Sequence, residues 1–527
     1  MSTPAPNAAT VAPHRPLALT LLCLSVCVIV MDGTIVNIAL PTLLRDLGMG
    51  TTIRQLQWIV DAYILVFAGL LMAAGSLGDR FGRKHILLLG LLLFAVFSAA
   101  AGRAKDAPTL IFWRAMMGIG AAFIFPATLA IIVNLFPEPR LRNVAIGAWA
   151  AMSGLGVAIG PATGGFILER AAWGWVFFIN APLCLIVAVG VLLWVPPSRD
   201  PTARRVDILG TALCMVAVSS LTFAIIEAPR VGWLDVQTLG VFAGAVVSFF
   251  LFVQWEARCG EPMIELSLFR SRTFAGGSYG IATAFFGLFG FVFLVSQYFQ
   301  LVHGYGAFES GLRTLPFAVF TGITAPLAPL AAARVGSRWV VSVGLALMGL
   351  SCALTSANDA STSYTIIVLQ MLPMGMGLGL VNSTGTDTIM EGLPKEKAGI
   401  GSAVNDTARE LGGTLGVAAM GSLFASLYSE TIAGDLAKLP LPKQALKLCQ
   451  DSVIAAAQVA RQTGDSLGPE AERTIRAAIS HAFLDGFHAA AWLGAGFLVV
   501  GALSCWWVLP PIRRSDRVSP VNARSRS

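Results

Sequence analysis

The sequence predicts an all-α integral membrane protein of about fourteen transmembrane helices, arranged as two six-helix bundles with two additional central helices. Three observations predict it. Of the 527 residues, 56% are hydrophobic and 12% charged, and mean hydropathy is +0.73; soluble domains carry roughly 25% charged residues. Apolar runs of about 20 residues, each long enough to cross a bilayer as a helix, recur down the chain. Finally, the second half echoes the first: "MGIG" at 117–120 matches "MGMG" at 374–377, an offset of 257, and "FPE" (136–138) is followed by "LPK" (393–395) at the same offset. "LGVA" recurs at 155–158 and 415–418, an offset of 260. Chance identity of short Gly, Ala and Leu strings is the competing explanation. Duplicated bundles around a central site are the architecture of alternating-access transporters.

The elements follow in order. A Pro- and Ala-rich tail, 1–16, precedes span 1 at 17–44. It has one Arg and no small-residue cleavage site after the first apolar run, so the first span is expected to insert and stay. Spans 2 to 6 are read at 55–77, 85–102, 108–134, 144–168 and 175–195, closing an N-terminal bundle at 17–195. Spans 7 and 8, at 207–227 and 236–256, form an insertion within 196–272. Spans 9 to 14 are read at 274–301, 309–332, 337–356, 363–388, 398–427 and 486–509, a C-terminal bundle at 273–509. That bundle includes a polar, partly amphipathic stretch at 428–485, read as an extracytoplasmic helical hairpin or lid, and a tail follows at 510–527.

Orientation follows from Lys and Arg, which concentrate in alternate loops: "DRFGRK" (79–84), "PEPRLR" (137–142), "SRDPTARR" (198–205), "LFRSR" (268–272), "ARVGSR" (333–338) and "PKEK" (394–397). Basic loops stay in the cytoplasm, which places both termini there too. The net charge of +7 is therefore membrane topology and not a nucleic-acid surface. Cys23, Cys27, Cys184, Cys214, Cys352 and Cys505 lie in or beside apolar spans as small core residues, and Cys449 is alone in the polar stretch. No metal-ligand spacing occurs.

Charges inside apolar spans are functional candidates by default. Asp32 lies halfway along span 1 with no Lys or Arg in that span. A carboxylate taken out of water favours its neutral form, so such a group can hold either a proton or a cation. A static Asp bonded to backbone or to a hydroxyl such as that of Thr34 is the alternative. Arg114, in "FWRAMMGIGAAFIFP" (112–126), sits inside span 4, and the echo places Met371 at its position in the second half. Snorkelling of its guanidinium to the interface competes with a functional role. Asp61, one turn into span 2, ranks next. Asp406, Arg409 and Glu410 share one or two turns of span 13; with Asp387 and Glu227 they form a candidate charge network. An adaptable pocket needs apolar and aromatic walls, for which Trp58, Tyr63, Phe123, Phe125, Phe285, Phe286, Phe289, Phe293 and Met374 are candidates.

Two stretches suggest moving parts. "GSLGDRFGRKHIL" (75–87) ends a helix and presents Gly75, Asp79, Arg80, Gly82, Arg83 and Lys84, either as a basic turn that only sets topology or as a conformational latch. "GLGVAIGPATGGF" (154–166) puts Gly156, Gly160 and Gly164 on one helix face, beside Pro161 and Gly165. Such a stripe allows close helix approach.

The first of these stretches resembles the signature loop of the major facilitator superfamily. The second resembles the fifth-span motif of its drug antiporters, and "MDGTIVNIALP" (31–41) the first-span signature of the fourteen-span drug:proton antiporter family. "MIELSLFRSRTF" (263–274) resembles that family's cytoplasmic connector, so the likeness covers essentially the whole chain. Where the family usually has Gln before Gly118, this chain has Met117; where many members carry an uncharged residue, it has Glu410. The resemblance implies a multidrug efflux antiporter of the bacterial cytoplasmic (inner) membrane. It would exchange lipophilic, often cationic compounds for protons by alternating access, among membrane lipids, as a monomer without cofactor. No phosphate-binding G-x-x-x-x-G-K-[ST] loop occurs, and no clustered nucleophile and base suggests an enzyme. A dedicated exporter of one metabolite, antibiotic or lipid, and a non-transporting sensor or scaffold, are the rival readings.

Overall fold

A computed structural model describes residues 14–47, 52–199, 207–260, 262, 265–393, 398–437, 441–451, 453, 456–457, 459–461 and 469–511. In chain order the helices are α1 (Arg15–Asp46), α2 (Ile53–Phe81), α3 (Arg83–Ala101), α4 (Ala107–Leu135), α5 (Pro139–Leu168), α6 (Trp175–Phe178) and α7 (Asn180–Trp194). After them come α8 (Ile208–Val231), α9 (Val236–Glu256) and α10 (Arg272–Gln297), which ends in a π-turn at Tyr298–Val302. The remainder are α11 (Ala307–Arg313), α12 (Leu315–Thr324), α13 (Ala328–Val335), α14 (Ser337–Thr355), α15 (Tyr364–Glu391), α16 (Ala398–Leu436), α17 (Lys443–Asp451) and α18 (Pro469–Val508).

Among the described residues, 12 segments are long and apolar enough to cross a membrane. Helices α2 and α5, of 29 and 30 residues, run alongside them, so about fourteen crossings fit. The protein is thus a multi-pass membrane protein. Its outward surface is apolar where lipid would lie: Val246, Val247, Phe249 and Phe250 of α9 are all exposed.

Local chemistry sets the helix ends. Thr52 and Gln55 close a capping box on α2, and Asp106 accepts from Thr109 N at 2.8 Å to start α4. Between α2 and α3 the chain turns at Gly82, φ +104°, a conformation that favours glycine. Gly336, φ +92°, makes the same turn between α13 and α14.

Three elements differ from the sequence expectation. The tenth span is not one helix. Pro316, Pro326 and Pro329 sit in the first turns of successive pieces, because proline starts a helix easily but cannot donate within one. The helices flanking 428–485 are longer than the spans read there: α16 runs on to Leu436 and α18 begins at Pro469, with α17 between them. Tyr428, Ile432, Cys449, Ile475 and Phe483 are buried there, so a polar composition hides an apolar seam.

The third difference concerns register. The repeat is visible in packing: a Cβ on Gly90 would meet Gly120 O at 2.9 Å, and one on Gly344 would meet Gly377 O at 2.9 Å. Gly156 and Gly160 seat α5 on the Cys27 and Met31 carbonyls of α1, as Gly412 and Gly416 seat α16 on the Ala282 and Phe286 carbonyls of α10. That pairing puts Gly156 opposite Gly412 in the repeat, so the "LGVA" match lies one helical turn out of the packing register.

The described side-chain hydrogen bonds that join the two bundles lie at the face opposite the chain termini. Gln300 Nε2 donates to Ile38 O at 3.1 Å, and Gln57 Nε2 donates to Ala418 O at 3.4 Å and Ser422 Oγ at 3.3 Å. Gly311 of α11 lies directly on the Pro161 carbonyl of α5, and Phe166 meets Phe308 ring to ring at 6.2 Å. Helices α8 and α9 stand beside this seam, α8 packing on both α2 and α16.

Candidate functional site

The centre of the N-terminal bundle holds a fully buried ion pair. Arg114 Nη1 lies 2.6 Å from Asp32 Oδ2, and both side chains are 0% exposed. The other carboxylate oxygen, Asp32 Oδ1, accepts from Asn180 Nδ2 at 2.7 Å. Asn180 Nδ2 also lies 3.0 Å from Ser98 Oγ, which donates to Phe177 O at 2.8 Å. Arg114 Nε donates to Ile59 O at 3.0 Å, and the guanidinium lies over the Tyr63 ring at 4.3 Å. Arg114 Nη2 has no partner. Five helices therefore converge on one carboxylate: α1 carries it, α4 and α7 bind it, α2 covers its cation, and α3 orients its amide.

The glycine stripe holds α1 in place. A Cβ on Gly156 would lie 2.9 Å from Cys27 O, and one on Gly164 would lie 2.6 Å from Ile35 Cγ1. At Gly160 the closest atom is Thr34 Oγ1. Only hydrogen fits at these three positions, so α5 lies directly on the turns of α1 that flank Asp32. Thr34 bonds Met31 O at 3.1 Å and Gly156 O at 3.4 Å; Asp32 takes its partners elsewhere. Pro161 carries the Gly311 contact, and Gly165 is buried near the end of α5.

Asp61 is 0% exposed, and neither carboxylate oxygen has a hydrogen-bond partner. The span-13 charges lie across the molecule on α16. Arg409 Nη2 donates to Asn382 Oδ1 at 3.0 Å and its guanidinium lies over Phe285 at 4.8 Å; Asp406 Oδ1 accepts from Asn405 at 3.3 Å. Glu410 is half-buried on α16, which packs against α2. Asp387 is exposed near the end of α15. Glu227 stands apart from that group, paired with Arg54 at 2.6 Å at the opposite face.

The 75–84 loop is tied to its own bundle. Arg83 Nη1 donates to Ala130 O at 3.3 Å, Arg83 N to Ser198 O at 3.0 Å, and Lys84 Nζ to Leu192 O at 2.9 Å. Gly75 faces Pro126, Gly82 makes the turn, and Arg80 is exposed over Phe81. Asp79 lies in the last turn of α2, and its side chain is outside the described residues.

Of the aromatic candidates, Tyr63 and Phe285 adjoin charged groups, Arg114 and Arg409. The others pack helices together. Phe125 lies among Phe67 and Trp149, Phe123 over Gly90, and Trp58 beside Phe223. Phe286 stacks on Phe497 at 3.9 Å, Phe289 covers Gly413, and Phe293 and Met374 are fully buried.

Sequence reasoning missed Asn180 and Ser98. The signal was there: Asn180 is a lone amide in "FFINAPLCL" (177–185), and a buried amide needs partners. Among the described residues, the second bundle repeats neither member of the ion pair. The packing register puts Gly287, packed on Leu498, where the first bundle has Asp32, and Met371 where it has Arg114.

Comparison with known proteins agrees with this architecture. The model of the family described as the Major Facilitator Superfamily matches residues 22–417. The multidrug resistance protein Stp of Mycobacterium tuberculosis is 33% identical over 501 residues, covering 94% of this chain and 93% of its own. The multidrug efflux pump LfrA of Mycolicibacterium smegmatis is 35% identical over 416 residues, 79% of this chain and 82% of its own. Among solved structures, a bacterial homolog of the human lysosomal transporter Spinster superposes with a TM-score of 0.63 at 17% identity, covering 96% of this chain and 99% of that one; it bears on the fold alone.

Proposed function

This chain belongs to the Major Facilitator Superfamily, and on that premise we propose that it exports lipophilic, often cationic drugs in exchange for protons. It works by alternating access in a bacterial cytoplasmic (inner) membrane, with both termini in the cytoplasm. It acts as a monomer among membrane lipids, needs no cofactor and catalyses no covalent chemistry. The described hydrogen bonds between the bundles at the face opposite the termini support a state closed on that face and open towards the cytoplasm.

The buried Asp32–Arg114 pair carries the proposal. An ion pair held in the least polar part of the molecule is expensive unless both charges stay paired. A proton arriving at Asp32 neutralises the carboxylate and releases Arg114. The cation that Asp32 gives up for its proton is then the chain's own guanidinium, and cargo couples to that exchange through the position of α1. Asn180 steadies the ionised carboxylate by a charge-assisted hydrogen bond. Because α1 touches α10 and α11 of the other bundle as well as α5, its displacement is felt across the seam. Glu410, half-buried on α16, supplies negative charge to cationic cargo, with Phe285 as apolar wall. The 75–84 loop ties α2 and α3 to α4 and α7, so that the bundle moves as one body.

Efflux of ethidium and a drug panel from cells expressing the protein tests this reading. Efflux should stop with Asp32→Asn and when the proton gradient is collapsed. Undiminished efflux in both arms refutes the coupling, and no efflux of any compound by the wild type refutes the export.

A further inference from the structure

The turn between α13 and α14 repeats, in the second bundle, the turn between α2 and α3 in the first: Gly336, φ +92°, stands where Gly82, φ +104°, does. Both turns are basic, but their cations are used differently. In the first bundle Arg83 and Lys84 donate to the Ala130 and Leu192 carbonyls of neighbouring helices. In the second, Arg334 lies in the last turn of α13 and Arg338 in the first turn of α14, and among the described residues neither donates to a carboxylate or a carbonyl. Arg334 is exposed. Arg338 lies with its guanidinium over the Trp506 ring of α18 at 4.1 Å, and its Nε is enclosed without an acceptor. A guanidinium stacked by its face still presents N–H groups at its edge, in a fork that fits a phosphate.

Beside that turn lies an apolar groove of about 320 Å³, lined by Ala331 and Val335 of α13, Trp339, Val340 and Val343 of α14, and Leu380 of α15. Gly344, one residue past Val343, seats α14 on the Gly377 carbonyl and meets Leu380, so α14 and α15 close the groove behind. Helix α13, the last piece of the broken tenth span, forms the other wall. The mouth faces outward: Val335, Trp339 and Val343 are 50%, 52% and 44% exposed. The arginines stand at one end of the groove, and the rest runs along α14 away from them. Trp339 meets Trp506 edge to face at 4.1 Å, and Trp507 is exposed. Tryptophans gather at the headgroup level of a bilayer, which puts the turn at that level and the groove among the acyl chains.

We propose that this groove is a binding site for an anionic phospholipid: its phosphate sits on Arg334 and Arg338 at the α13–α14 turn, and one acyl chain lies in the groove against Trp339 and Val343. Charge complementarity selects the headgroup, and apolar contact holds the chain. Basic pockets between helix ends at a leaflet surface are where such lipids are recognised. Arginines that only fix topology need no groove beside them. The bound lipid fills the space beside the broken tenth span and ties α13 to α14 and α15. The site lies in the other bundle from Asp32 and Arg114 and is independent of the proton exchange proposed above, so either can fail without the other.

Native mass spectrometry of the purified full-length protein in detergent, titrated with phosphatidylglycerol or phosphatidylcholine of the same acyl chains, tests it. The wild type should bind one phosphatidylglycerol more tightly than phosphatidylcholine, by about fivefold for each arginine. Arg334→Gln with Arg338→Gln should erase that preference. Val343→Trp, which fills the groove and keeps both charges, should remove the tight site. Inorganic phosphate should not compete. Melting without added lipid reports whether each variant folds, and phosphatidylglycerol should raise the melting temperature of the wild type alone. Equal binding of the two lipids by the wild type overturns the proposal whatever the variants do. A preference that survives in either folded variant also overturns it, and competition by phosphate would make the turn a bare anion site and overturn it as well.

Discussion

At the scale of single residues, the site is decided by which buried charge has a partner. Arg114 is fully enclosed, so removing its carboxylate leaves a lone cation among apolar helices. Asp32→Ala should therefore destabilise the protein by about 3–5 kcal/mol, read as a fall in melting temperature of the detergent-solubilised chain. Removing both charges should hurt less than removing one. Arg114→Met alone leaves Asp32 with only Asn180, whereas Arg114→Met with Asp32→Asn reproduces the uncharged condition of the second bundle, where Met371 stands in the arginine's place. The double variant should melt above the single one and still fail to export. A double variant that melts lower would mean that the pair is structural on balance. Asp32 and Arg114 could each be picked out in the sequence, because a charge in an apolar run is conspicuous. Their contact could not, since 82 residues separate them and no periodicity reports a distance across helices. Asn180 was harder still, because an uncharged amide costs the apolar pattern little.

At the scale of elements, the account depends on how closely α5 lies on α1. A side chain at position 160 must displace Thr34 or the Met31 carbonyl, and overpacking of this kind typically costs about 1–3 kcal/mol. Gly160→Val should thus reduce export by shifting the turn that carries Asp32, and adding Thr34→Ala should restore part of it; thermal melting and ethidium efflux measure the two effects. If Gly160→Val exports normally, the seat of α1 is not what positions the carboxylate. The start of α4 gives an independent check at a helix end. The Asp106 carboxyl, bonded by the Thr109 backbone N–H, is held below the usual carboxylate range. A group lowered on folding contributes stability above its unfolded range and loses it as the pH falls through its folded one. Asp106→Ala should accordingly lower the melting temperature near neutral pH, and the difference should close in strong acid. A gap independent of pH would contradict it. The glycine stripe was legible as a stripe, because spacing alone defines a helix face. Its partner was not, and the one-turn slip of the "LGVA" match shows why: Gly-rich helices match each other at several registers, and only packing chooses one.

At the scale of the whole molecule, the described side-chain hydrogen bonds between the two bundles lie at one face. Gly311 on the Pro161 carbonyl is a point where they meet with no room to spare. Gly311→Val should wedge that face open and increase labelling of a cysteine placed at Ile38 by a membrane-impermeant thiol reagent added from outside; unchanged labelling would mean that the contact does not hold the seam. The spans of this assembly were legible because a bilayer imposes their length. The broken tenth span and the helical extensions at 428–485 were not: proline can start a helix piece as readily as end one, and the buried seam of α16 and α18 lies within a stretch of polar composition. What the molecule is proposed to do reduces to the exchange, at Asp32, of Arg114 for a proton. Proton release on binding tests it most directly: ethidium is added to purified protein in weakly buffered solution and the pH change recorded for wild type and Asp32→Asn. The account predicts that ethidium drives protons off the wild type and that this release is lost with Asp32→Asn; equal release from both proteins would contradict it.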